Sequence, residues 1–134
     1  MAYSGYLLKF GSTTLPFDYI RAASYKATPA QRLDLDSYRD ADGTLHRTVL
    51  DHTASKIEWE TPYLTNAQVQ AMLAIFAGAM TNTAERKVTI TYYNEESDSY
   101  NTGTFYMPDT VFTIYRATDT ELIYNPIRIA VIEY

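Results

Sequence analysis

Ser37-Tyr-Arg-Asp-Ala-Asp-Gly-Thr-Leu-His-Arg47 sets an Asp42-Gly43 pair in the middle of a polar stretch with little helical period. Such a pair suits the positive-φ positions of a tight hairpin, because glycine has no Cβ to clash and aspartate tolerates the left-handed region. The flanks, Leu33 to Arg39 before it and Leu45 to Leu50 after it, read as the two sides of that hairpin. A β-hairpin arm over about residues 32–52 is the expectation. It carries many hydrogen-bonding groups and few residues for a core of its own, so it is suited to reach for a neighbouring subunit. Tyr38, Arg39, Asp40, Asp42, His46 and Arg47 are the residues expected at that contact. They bring both charge signs into a short span, and a partly desolvated Arg–carboxylate contact between copies outweighs a free surface pair.

Working outward from the arm, Lys56-Ile-Glu-Trp-Glu60 alternates strictly, with Ile57 and Trp59 on one face and three charges on the other. That pattern is a half-buried strand. Lys87 to Tyr93 alternates in the same way through Val88, Ile90 and Tyr92. A turn at Asn94 to Asp98 leads into a return strand from Tyr100 to Met107. Val111–Arg116 and Pro126–Tyr134 read as further strands, with a polar turn at Ala117–Thr120 and a short extended piece from Glu121 to Tyr124 between them. Near the N-terminus, Tyr6–Phe10 and Thr13–Phe17 flank Gly11-Ser12 as a first hairpin.

One segment breaks the alternation. Thr65-Asn-Ala-Gln68 is a capping box, with Leu64 and Val69 placed as a hydrophobic staple. Val69, Met72, Leu73 and Phe76 then follow the i, i+3, i+4, i+7 spacing of an amphipathic helix. The helix is expected over about residues 66–77, with Gly78 as the residue that stops it. The pattern as a whole predicts one domain over residues 1–134: a mainly β, antiparallel sandwich or barrel with one flanking helix.

Composition narrows the function. Eleven basic against sixteen acidic residues leave a formal charge of −5, and no basic run is longer than Arg86-Lys87. Phosphate neutralisation needs clustered Lys and Arg, so direct sequence-specific nucleic-acid binding is not expected. With no cysteine, disulfides, thiolate catalysis and zinc–thiolate sites are excluded. The N-terminus lacks the basic and long apolar regions of a signal peptide, and no apolar run is long enough to span a bilayer. Synthesis in a cytoplasm and no membrane partner are therefore expected. Tyrosine is abundant, 13 of 134 residues, as suits both strands and protein–protein interfaces.

The catalytic inventory is thin. His46 and His52 would share a face if residues 46–52 were one strand, but no third or fourth ligand accompanies them, so no metal or other cofactor is expected. Asp40, Asp42 and Gly43 brush the EF-hand signature, which fails at Tyr38 and Val49, where acids are required. Glu58 and Glu60 share a strand face, with Lys56 beside them as on a solvated sheet surface. The glycines form neither a P-loop nor a dinucleotide fingerprint, and no G-x-S-x-G elbow occurs. No enzyme is expected.

Asp36 to Leu50, continuing through Lys56-Ile-Glu-Trp-Glu-Thr-Pro62, resembles small tail-region proteins of phages and prophages of Gram-positive gut bacteria. In these an R-D-x-x-G-x-L-H-R hairpin precedes a K-I-E strand and a single helix, matched here over residues 34–77. The order of elements is similar to the tail-tube fold of tube, distal-tail and baseplate-hub proteins. The resemblance implies a virion structural protein of the tail or baseplate, forming a homo-oligomeric, hexameric ring bridged by long hairpins and meeting other tail proteins. The alternative is a monomeric sandwich that binds carbohydrate or a host receptor through exposed Tyr and Trp59. A hydrolase using Glu58 and Glu60 is a third possibility.

Overall fold

The computed structural model describes residues 3–134, so Met1 and Ala2 of the N-terminal stretch lie outside it. Strands β1 (Leu8–Phe10) and β2 (Thr13–Thr14) make the first hairpin, with Gly11 at φ +60° in its turn. Two 3₁₀ turns, Phe17–Tyr19 and Ala22–Ser24, lead into β3 (Lys26–Asp34). The short strands β4 (Tyr38–Arg39) and β5 (Leu45–His46) follow, and then β6 (Val49–Glu60). After β7 (Leu64–Thr65) comes α1 (Asn66–Ala79), continuing directly into β8 (Met80–Asn82). The chain finishes with β9 (Lys87–Asn94), β10 (Ser99–Tyr106), β11 (Ile114–Ala117), β12 (Leu122–Tyr124) and β13 (Arg128–Glu133).

Eight strands form one antiparallel sheet in the order β2-β1-β9-β10-β13-β6-β3, with β8 added on β9. It does not close, since β2 and β3 stand at opposite edges, so the sandwich-like alternative is realised and the barrel is not. The strand β10 meets β13 through only two register pairs, Phe105↔Glu133 and Tyr106↔Ile132. There the sheet divides into two limbs, β1-β9-β10 and β13-β6-β3, which share one core.

The alternation read from the sequence is the alternation of burial. On β9, Val88, Ile90 and Tyr92 are buried between partly exposed Lys87, Thr89, Thr91 and Tyr93. On β6, Ile57 and Trp59 are buried between partly exposed Lys56, Glu58 and Glu60. Removing such side chains from water is the main stabilising contribution, roughly 1.5–3 kcal/mol for each large aliphatic or aromatic group. Leu8, Phe10, Phe105, Ile129 and Val131 complete the facing layers.

The helix is capped as its sequence requires. Thr65 accepts the Gln68 backbone N–H, and the Gln68 side chain accepts the Thr65 N–H at 2.9 Å. Val69, Met72 and Phe76 are buried and Leu73 is partly so, with the Phe76 ring 4.7 Å from that of Phe10. Gly78 does not stop the helix. The last turn runs through it to Ala79, and the stop is Met80, whose extended backbone (ψ 129°) already belongs to the strand pairing with β9.

Other boundaries move for physical reasons. The chain is extended from Lys26, six residues before the expected start of the arm, and Pro29 interrupts the strand pattern within that stretch. β3 is an edge strand with a register shift between Thr28 and Gln31, where proline's missing N–H breaks no ladder and Ala30 turns to φ +48°. The expected strand at Val111 begins only at Ile114, and the return side of the first hairpin ends at Thr14 rather than Phe17. β11, β12 and β7 form a separate three-stranded sheet.

Candidate assembly surface

The ribbon of β3 and β6 leaves the core at Ser55. Ser55, Ile57 and Trp59 are buried, whereas residues 34–53 are exposed without a break. The ribbon nevertheless stays paired, through Gln31↔Ala54, Arg32↔Thr53 and Asp34↔Val49, and ends in the two-stranded tip of β4 and β5. This long paired structure has no buried residue and leaves Leu35, Tyr38, Leu45, Val49 and Leu50 exposed to solvent.

At the tip, Asp42-Gly43 is not a two-residue turn with both residues at positive φ. The Asp40 N–H donates to the Thr44 carbonyl at 3.0 Å and the Gly43 N–H donates to the Asp40 carbonyl at 3.0 Å, giving a three-residue loop in which Gly43 (φ +84°) takes the left-handed position. The side chain that decides this is Asp40. Its Oδ1 accepts the N–H groups of Asp42 at 2.9 Å and Thr44 at 3.1 Å, and its Oδ2 lies 2.8 Å from His46 Nε2. The His46 contact first, and then the Thr44 N–H, hold the Asp40 carboxyl below its ordinary pKa. Tyr38 stacks on the His46 ring at 5.0 Å.

Five of the six residues expected at the tip are therefore engaged within the arm itself. Arg39 donates to the Gly43 carbonyl at 2.8 Å. Arg47 donates to Asp34, at 2.6 Å through Nη2, and this contact sets the Asp34 carboxyl low. Asp42 is the exception: its carboxylate has no hydrogen-bond or ionic partner among the described residues. At the arm's base, Arg32 makes two 3.1 Å bonds to Glu96 in the β9–β10 turn.

Sequence reasoning missed the node beneath the arm. Ser55 Oγ accepts the Ala30 N–H at 2.9 Å and lies 2.8 Å from the Tyr92 hydroxyl, while the Ser55 N–H donates to Glu133 at 2.8 Å. The signal available was a serine at an inward position of an alternating strand, where a buried hydroxyl needs partners. Nearby, the Tyr25 hydroxyl is buried without a partner among the described residues, and that burial, with the Glu95 charge, raises its pKa.

The other candidates separate. His46 lies in β5, and His52 lies in β6 at 2.9 Å from the Tyr134 carbonyl, so they share no site. Among the described residues no group of three or more His, Asp or Glu side chains could hold a metal ion. Trp59 is 1% exposed and donates its ring N–H to the Tyr19 carbonyl, so it offers no platform for a sugar. Glu58 is paired with Arg128, and Glu60 with Arg21 at 3.4 Å. These four residues, with Ser24 and Lys26, line an open groove of about 250 Å³ on the outer face of the sheet. No helix among the described residues is long and apolar enough to cross a membrane.

Residues 1–134 match the model of the "Family of unknown function (DUF6711)", and the chain belongs to that family. No curated protein matches its sequence. Among solved structures, a chain of the "Virion of native gene transfer agent (GTA) particle" is similar in fold. Its TM-score is 0.50 at 14% identity, over 99% of this chain and 95% of that one.

Proposed function

We propose that this protein is a structural component of a phage-like particle, a tail or baseplate protein that joins copies of itself into a ring through its arm. One observation carries the reading: residues 34–53 keep strand pairing, the Asp34–Arg47 ion pair and the Asp40–His46 contact without one buried residue. Ordering a residue's backbone costs roughly 1–2 kcal/mol, and an arm with no buried face recovers little of that inside its own subunit. The exposed Leu35, Tyr38, Leu45, Val49 and Leu50 give it something to bury against a neighbour. The gene transfer agent virion chain of similar fold supports a particle component, as does the tail-protein resemblance of residues 34–77.

In this reading the protein works without catalysis or cofactor, its partners are its own copies and other tail proteins, and it resides in the virion tail after synthesis in the host cytoplasm. The ring is six-fold, as in the tail-tube arrangement the sequence resembles. Tyrosine adds to the surface for assembly. The rings of Tyr6, Tyr93 and Tyr100 pack together on the β9–β10 side, and Tyr63 meets Tyr115, both more than half exposed, at 4.9 Å. Mass photometry across concentration, with negative-stain imaging, tests the reading directly. Closed rings are expected; a chain that remains monomeric throughout would overturn it.

A further inference from the structure

Resting on that assembly reading, we infer that the groove lined by Arg21, Lys26, Glu58, Glu60 and Arg128 receives the arm tip of a second copy, with Asp42 of one copy against Lys26 of the next. Charge is the first argument. The groove gathers three cations and two carboxylates, and both carboxylates are already taken, Glu58 by Arg128 and Glu60 by Arg21. Lys26 is exposed and has no ionic partner among the described residues, so the groove keeps one uncompensated positive charge. The tip is its complement. Over residues 36–46, Asp36, Asp40 and Asp42 stand against Arg39 alone, and the Asp42 carboxylate is free at the turn.

Topology is the second argument. Lys26 lies opposite Glu58 at the core end of the β3–β6 ribbon, and Asp34 lies opposite Val49 where the tip begins. At about 3.3 Å per residue, the two sites are separated by roughly 26 Å of strand before the tip starts. A tip and a groove at opposite ends of one paired ribbon do not meet within a subunit. Between subunits they make a head-to-tail contact, the kind that closes into a ring when its rotation allows. Because Glu58 and Glu60 are neutralised by arginines on the same surface, an entering aspartate meets no net repulsion.

The test is a charge exchange in the full chain, read as the concentration at which half the protein is assembled. Lys26→Glu and Asp42→Lys alter exposed groups without partners, so both variants should fold. Each alone should raise the half-assembly concentration about tenfold or more, as loss of an interfacial charge partner does, and the double variant should restore it. Lys56→Glu, on the same strand face but outside the groove, should leave it unchanged. If the single variants assemble like wild type while shortening the arm abolishes assembly, the arm acts elsewhere and the groove is not its acceptor. Singles that weaken assembly with no rescue in the double variant would overturn the pairing. A wild-type chain that never assembles would overturn both this inference and the assembly reading.

Discussion

Ser55 Oγ and the Tyr92 hydroxyl lie 2.8 Å apart, joining β6 to β9 at the point where the arm leaves the core. Ser55 is fully buried and Tyr92 is 3% exposed, so neither hydroxyl can turn to water for a substitute partner. The same Ser55 oxygen holds the Ala30 N–H at the bulge of β3. One hydroxyl thus fixes both strands of the ribbon against the opposite limb of the sheet.

Ser55→Ala should cost about 1–3 kcal/mol, the usual penalty for leaving buried polar groups unpaired. Tyr92→Phe should cost less, because Ser55 keeps the Ala30 N–H. Combining the two should cost less than their sum, since they share one interaction. Urea unfolding of the three variants measures this. Strict additivity would show that the contact is not energetically coupled.

Helix substitutions should follow burial, not merely helical spacing. Met72→Ala, at a fully buried site, should destabilise by about 2–5 kcal/mol. Leu73→Ala should fall clearly below it, since Leu73 is only partly buried. Thr65→Ala removes the cap and should cost about 1 kcal/mol. Thermal or urea denaturation ranks the three, and a Leu73 effect equal to that of Met72 would contradict the packing described.

Much of this was legible in the sequence, and the reasons are local. Ile57/Trp59 and Val88/Ile90/Tyr92 carry the two-residue period because each strand has one wet and one dry face. Thr65 and Gln68 announce the helix start because a cap is chosen by side-chain chemistry within four residues. The helix end is not legible, because Gly78 resembles a stop, whereas the strand pairing of Met80, a tertiary constraint, ends the helix. Strand β3 was partly hidden by Pro29, tolerated at an edge bulge that no local pattern reveals. The six tip residues were found together in sequence, but their partners were not: Arg47 is taken by Asp34 and His46 by Asp40, which leaves Asp42 as the free charge. The groove draws on three separate segments, around residues 21–26, 58–60 and 128, and so had no contiguous signature.

Acid should loosen the arm before it unfolds the core. The carboxyls of Asp34, Asp40 and Glu96 are all held low, chiefly by Arg47, His46 and Arg32 respectively. A depressed carboxylate pKa stabilises the fold above the unfolded value, and that support is lost as pH falls through the folded one. With unperturbed values near 4, the arm should lose its pairing below about pH 4. Backbone NMR shifts of residues 34–50 should then move toward random coil while those of β9 hold. Loss of both regions at one pH would show that the arm and the core unfold as one unit.

The most direct test is to replace residues 38–46 by a two-residue Asn-Gly turn and compare melting temperature and mass with wild type. Because no residue of 34–53 is buried in the subunit, the melting transition should shift little, while the assembled species seen by mass photometry should disappear. A shortened chain that still forms the wild-type assembly, or one that no longer folds, would contradict an arm built for contact between copies.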